Sequence, residues 1–202
     1  MNKDKKKICS LYMKYLKTQN PSLHRRVANE YFKQVAKKTF GNVIHVGSRG
    51  DCDKQGSFYE LYFKYAEKYE TLDVEGEVTY KNDICDMKDV SSNYYDAVLC
   101  PWVLEHIEDV EGAVDEIYRI LKHDGILIFS VPFNIKYHGY PDDYWRYNVQ
   151  SLENLFDGFI IKDIRHVGLE KPMSLDYRLK IYPNQKPTNV GCNGFMGVVQ
   201  KI

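Results

Sequence analysis

Between residues 41 and 131, short apolar runs rich in β-branched residues alternate with segments of helical period. The runs deliver the chain into glycine or acidic residues. Val43-Ile44-His45-Val46 passes into Gly47-Ser48-Arg49-Gly50. Leu72-Asp73-Val74 ends a second run, and Val78 to Lys81 forms a third. Tyr95-Asp96-Ala97-Val98-Leu99 passes into Cys100-Pro101-Trp102, and Gly125 turns the chain into Ile126-Leu127-Ile128-Phe129-Ser130-Val131. Strands that alternate with helices imply a doubly wound α/β fold, a mostly parallel sheet with helices on both faces.

Two more runs, Phe159 to His166 and Phe195 to Val199, bring the expected strand count to seven. No long helix separates them, so they are expected to pair antiparallel at the sheet edge. Ser57-Phe58-Tyr59-Glu60 reads as a capping box opening a helix with Phe58, Leu61, Tyr62, Tyr65 and Tyr69 on one face. Asp109 caps another helix, and a third lies near Ser151 to Phe156. Two helices precede the sheet. One carries Ile8, Leu11, Tyr12, Tyr15 and Leu16. The other starts at Asn20-Pro21 and carries Leu23, Val27, Tyr31 and Val35. The expected organisation is a helical cap over residues 1–40 and one compact unit over 41–202.

Charge narrows the partners. Lysine plus arginine and aspartate plus glutamate each number 28, for a formal net charge of zero. A sequence-independent grip on nucleic acid needs a basic surface, so nucleic acid is not the expected partner. No run of about 18 apolar residues exists to span a membrane. The five cysteines, at positions 9, 52, 85, 100 and 192, include no pair with zinc-type spacing. Reduced thiols, a cytoplasmic location and no metal are therefore expected.

In doubly wound sheets the ligand lies beyond the carboxyl ends of the strands. Glycine at Gly47 and Gly50 lets backbone approach a ligand closely. Asp73 stands where a carboxylate can accept from both hydroxyls of a ribose. Asp83 and Ile84 follow the third strand, where an adenine edge fits. The turn Gly47-Ser48-Arg49-Gly50-Asp51-Cys52 lacks the Gly-x-Gly-x-x-Gly pattern that cradles a pyrophosphate. That argues against a nicotinamide oxidoreductase, the main competing enzyme class on such a fold. A non-enzymatic interaction module is the other competitor.

Taken in order, Val43–Gly50, Leu72-Asp73-Val74, Asp83-Ile84-Cys85-Asp86, Tyr95–Cys100, Val103-Leu104-Glu105-His106-Ile107 and Leu121–Leu127 resemble the successive motifs of the type-11 class I S-adenosylmethionine-dependent methyltransferases. The resemblance covers roughly residues 41 to 165, and Val-Leu-Glu-His-Ile is its most specific piece. It implies S-adenosylmethionine as the cofactor. It also implies that the loop Gly47, Ser48, Arg49, Gly50 lies against the methionine part, that Asp73 with Val74 meets the ribose, and that Asp83 and Ile84 flank the adenine. Cys100 and Pro101 would sit beside the cofactor through backbone. This sequence departs from the family at two places. His45 replaces a usual acid, and Arg49 replaces a usual glycine. The residues from Asp51 to Gly56 also delay the next helix. Arg49 either pairs with the cofactor carboxylate or points into solvent.

The stretch His138-Gly139-Tyr140-Pro141-Asp142-Asp143-Tyr144-Trp145-Arg146-Tyr147 follows the fifth strand, which places it over the mouth of the site. Similar segments occur in a family branch linked to glycans and small metabolites, so the expected acceptor is a small molecule or a glycan. His138 is the candidate general base, because imidazole takes a proton near neutral pH. Tyr140, Tyr144, Trp145, Arg146 and His106 are candidates for acceptor contact. For Trp145 and Arg146 the alternative is a structural lid, with Trp145 on the core and Arg146 paired to Asp142 or Asp143. For His106 it is a capping or orienting role. The sequence does not set the oligomeric state.

Overall fold

Buried strands reveal themselves by packing both of their faces. In Tyr95–Pro101 (β3), Val98 and Cys100 enter one apolar cluster while Ala97 and Leu99 enter another. Side chains alternate across a strand, so a run buried throughout needs a layer on each side. The computed structural model describes residues 22–139, 141–167 and 193–202. It shows those two layers. Leu23–Ala36 (α1) packs Ala28, Tyr31, Phe32 and Ala36 on one face of the sheet. Val110–Ile120 (α2) and Val149–Leu155 (α3) cover the other with Val114, Ile117, Ile120 and Leu152. Tyr31 and Tyr62 are buried, as packing residues should be.

The sheet also contains Gly41–Val46 (β1), Ala66–Leu72 (β2), Leu121–Pro132 (β4), Phe159–Val167 (β5) and Gly194–Lys201 (β6). Its order is β2-β1-β3-β4-β6-β5. The first four strands run parallel, and β6 is antiparallel to both β4 and β5. The antiparallel pairing of the late strands is as expected. The final strand, however, inserts between β4 and β5.

Four expectations are corrected. The sheet has six strands among the described residues, not seven. The stretch Val78 to Lys81 contributes one parallel bridge, between Leu72 and Tyr80. There the hydroxyl of Thr79 accepts from Thr71 N at 3.1 Å, and that of Thr71 accepts from Thr79 N at 3.1 Å. Threonine hydroxyls that intercept backbone N–H groups prevent a ladder from extending. The helix read from Ser57 to Tyr69 is a single 3₁₀ turn, Tyr59–Tyr62, followed directly by β2. No capping box forms. Buried Asp51 takes Glu60 N at 3.0 Å, and buried Asp53 takes Gln55 N and Ser57 N at 2.7 and 2.9 Å. These carboxylates satisfy the N–H groups that a helix start would have presented. Finally, the N-cap position of α1 is Ser22, whose side chain makes no capping hydrogen bond. Asn20, Pro21 and the helix read around Ile8 to Leu16 lie outside the described residues. Asp109 does cap α2 as read, accepting from Gly112 N at 3.0 Å.

Among the described residues no helix is long and apolar enough to cross a membrane. Cys85 and Cys100 are free thiols, with Cys9 and Cys192 outside the described residues. Burial raises the Cys85 thiol to about 11, so it is protonated at neutral pH.

Candidate functional site

A cavity of about 940 Å³ opens at the carboxyl ends of β1, β2 and β3. That lies at the upper end of the roughly 300–1,000 Å³ typical of small-molecule sites. Gly47, Ser48, Arg49, Gly50, Asp73, Val74, Asp83, Ile84 and Pro101 all line it. Cys100 does not; it is fully buried beneath the floor.

The loop after β1 is shaped by its backbone. Gly47 has φ +68°, and a Cβ there would lie 2.4 Å from a Val103 methyl, so only glycine fits. Arg49 and Asp51 also hold positive φ, 40° and 51°. Two buried contacts stabilise this course. His45 Nδ1 lies 2.7 Å from Asp51 Oδ1, and Tyr69 OH donates to the same oxygen at 2.7 Å. Asp51 thus partners the departure at His45. The Arg49 guanidinium pairs with Glu75 at 3.2 Å.

At the end of β2, Asp73 Oδ2 accepts from Arg49 N at 2.8 Å and Oδ1 from Glu75 N at 3.0 Å. The carboxylate is oriented at the cavity wall and keeps spare lone pairs on both oxygens. Beyond the third run, Asp83 Oδ1 accepts from Cys85 N at 2.8 Å. Neighbouring Asn82 donates to Asp89 at 2.8 Å, while its own buried Oδ1 has no protein partner among the described residues. The indole N–H of Trp102 is likewise buried without a partner, and both residues line the cavity. Trp102 has φ +59°, a left-handed conformation uncommon for a bulky residue.

The cavity is also walled by His106, Ile107 and Pro141. The loop from His138 to Tyr147 is stitched to the 3₁₀ turn Leu104–His106. Tyr144 N donates to Glu105 O at 2.8 Å, Trp145 Nε1 to Ile107 O at 2.8 Å, and Tyr147 OH to Leu104 O at 2.9 Å. Trp145 is exposed and not packed on the core. Arg146 forms a two-pronged ion pair with Asp143. That guanidinium holds the Asp143 carboxyl far below the usual carboxylate range. Tyr144 is exposed, and Tyr140 lies outside the described residues.

His138 does not line the cavity. It stands behind His106, ring edge to ring face, with centroids 5.1 Å apart. Its Nδ1 is 3.2 Å from the Asp143 carboxylate. His106 points Nδ1 at the carbonyl of Asp142, and burial lowers its pKa. Glu105, given no role from sequence, is 1% exposed. Its Oε1 lies 3.9 Å from His106 Nε2, and its Oε2 has no partner. Burial pushes its carboxyl up to about 7. The Glu-His pair in Val-Leu-Glu-His-Ile was the available signal.

Arg25 and Lys54 also line the cavity and escaped notice. Arg25 reaches it from α1, lying 5.8 Å from the centre of the Trp102 ring. Only tertiary packing brings that helix over the site, so no local pattern marks the residue.

Known proteins agree with this geometry. Residues 60–129 match the family model of the methyltransferase domain, type 11. No curated protein sequence matches the chain. The 1,6-didemethyltoxoflavin-N1-methyltransferase of Burkholderia thailandensis superposes with a TM-score of 0.64 at 14% identity, over 98% of this chain and 86% of that one. A methyltransferase from Archaeoglobus fulgidus gives 0.62 at 14% identity, over 94% and 99%. The cyclase SpnF gives 0.54 at 21% identity, over 68% of this chain, which spans only 59% of SpnF. These likenesses establish the fold, and the cyclase among them shows that the fold alone does not fix the reaction. The matched segment carries the more specific information: residues 60–129, about a third of the chain, are similar to the methyltransferase domain of type 11.

Proposed function

We propose that the chain methylates a small-molecule or glycan acceptor, at oxygen or nitrogen, seated between the cofactor and His106. One observation carries this reading. One cavity is lined both by Asp73, Asn82 and Asp83, which follow β2 and the third run, and by Trp102, His106 and Pro141, which we assign to the acceptor end. The first end fits the cofactor: Gly47 presents bare backbone to the cavity, and Asn82 offers an unspent acceptor. Bound there, S-adenosylmethionine supplies a methyl group on a sulfonium.

In this reading Asp73 accepts from the ribose hydroxyls, with Val74 against the sugar. Asp83 and Ile84 flank the adenine. Gly47, Ser48 and Gly50 approach the methionine part through backbone, and Pro101 closes the floor over buried Cys100. Arg49 is committed to Glu75, so Arg25 is the cation assigned to the cofactor carboxylate. The loop from His138 to Tyr147 excludes water and holds the acceptor in line with the methyl group. Tyr140 and Tyr144 contact the outer part of the acceptor. Trp145 and Arg146 fix the loop over it. A hydroxyl acceptor has to lose its proton at or before attack. The cluster of Glu105, His106 and His138 is where that proton leaves.

Calorimetric titration with S-adenosylmethionine, S-adenosylhomocysteine and NAD tests the reading. The first two should bind and NAD should not; absence of binding at millimolar S-adenosylhomocysteine would defeat it. Asp73→Ala refines the result. Losing charge-assisted hydrogen bonds costs roughly 1.5–3 kcal/mol, or about ten- to hundredfold in affinity. Asp73 sits at a strand end outside the core, so the variant should still fold. Unchanged affinity in a folded variant would remove Asp73 from the ribose site.

A further inference from the structure

Glu105, His106 and His138 each offer one donor atom within 4.8 Å of those of the other two. Both imidazoles are anchored through Nδ1. In His106 that nitrogen meets the carbonyl of Asp142; in His138 it lies 3.2 Å from the Asp143 carboxylate and 3.3 Å from the Lys136 carbonyl. A carbonyl oxygen only accepts, so Nδ1 carries the hydrogen and Nε2 keeps its lone pair. Metal-ligating histidines are held in this way, by an oxygen on the nitrogen turned away from the ion. An independent observation comes from Glu105. Its Oε2 is buried and unpartnered in a residue only 1% exposed. Arg25 and Arg146 act on this carboxylate through space. Arg146 is committed to Asp143, and neither arginine makes a hydrogen bond to Oε2. Burying an anionic oxygen without a partner is costly, and a cation removes that cost.

We propose that Glu105, His106 and His138 bind a divalent transition-metal ion whose open coordination position takes an oxygen of the methyl acceptor. Two imidazoles and one carboxylate suit zinc in its open, three-ligand form, and also suit related first-row ions. Metal–ligand distances near 2.0–2.2 Å require the donors to close by about 1 Å. His138 can supply that movement, because it sits on a surface loop with its side chain 42% exposed. His106 lines the cavity, so the open position faces the acceptor end. The proposal rests on the reading of this cluster as the place where the acceptor is deprotonated. It narrows the acceptor to an oxygen nucleophile. A bound hydroxyl has its pKa lowered by the ion and releases its proton to water near neutral pH, keeping the electron pair on oxygen. Sequence spacing hid the site, since its ligands come from a 3₁₀ turn and from a loop more than thirty residues later.

The test uses the untagged full chain, titrated with Zn²⁺ by calorimetry and with Co²⁺ by visible absorption, each with and without S-adenosylhomocysteine. One ion should bind per chain, with cobalt d–d bands and no thiolate charge-transfer band. Glu105→Gln and His138→Ala should each weaken ion binding by at least about tenfold, while S-adenosylhomocysteine affinity is retained. Absence of ion binding, a thiolate spectrum, or unchanged ion affinity in His138→Ala overturns the metal site. If S-adenosylhomocysteine binds in that case, the methyltransferase reading stands without the ion. If it does not bind, the cofactor reading fails as well.

Discussion

His138→Ala should lower methyl-transfer turnover by about a hundredfold or more, with S-adenosylhomocysteine affinity within about twofold of the parent. The expectation follows from where the side chain stands. It packs against the ring of His106 and lines no part of the cavity wall that meets the cofactor. Removing a group on which deprotonation of the acceptor depends costs about 10²–10⁴ in rate. The loop itself should survive. Its bond from the His138 backbone N to Asp143, at 2.9 Å, does not use the imidazole. A fall in kcat with KM for the cofactor unchanged would therefore report chemistry and not collapse of the lid. His106→Ala should show the same loss in kcat with an added rise in acceptor KM, because His106 also forms the wall. Turnover near the parent value in His138→Ala, or a parallel loss of cofactor binding, would reduce the loop to a structural cover.

The parts of this site legible in sequence are those governed by local chemistry. The run Val43–Val46 into Gly47, Asp73 after β2, and Asp109 capping α2 are each recognised within a few residues, and each holds in three dimensions. The failures share one cause, which is that distant groups overrode local preference. Phe58 to Tyr69 has helical spacing, yet Asp51 claims Glu60 N and Asp53 receives Tyr62 OH. A buried carboxylate that needs donors outweighs a helix propensity worth tenths of a kcal/mol per residue. Val78 to Lys81 has strand composition, but Thr71 and Thr79 trade hydroxyl bonds where a ladder would form. Glu105 and Arg25 are ordinary charged residues in the sequence. Burial makes the first unusual, and the packing of α1 over Trp102 makes the second part of the wall.

Asp143→Ala should destabilise the folded chain by about 2–3 kcal/mol, at or below the roughly 3–5 typical of a fully buried pair that loses one member. The lower figure reflects Arg146, whose side chain is 28% exposed while that of Asp143 is fully covered. Asp143 receives the Arg146 guanidinium through both oxygens and the His138 backbone N at 2.9 Å. Without it, Arg146 retains only the carbonyls of Ile135, Trp145 and Lys136. For a chain of this length each kcal/mol shifts Tm by about 2–4 °C, so a fall of roughly 4–12 °C is expected. The pH dependence has a definite sign. The folded-state pKa of Asp143 is depressed, so its contribution is fully present above the ordinary aspartate value of about 3.9 and is lost as pH falls below it. Parent and variant should therefore differ most at neutral pH and converge in acid. Thermal unfolding followed at several pH values measures both effects. An unchanged Tm at neutral pH would mean that the pair merely decorates the surface. A difference that grows in acid would mean that some group other than the Asp143 carboxylate holds the loop against the 3₁₀ turn.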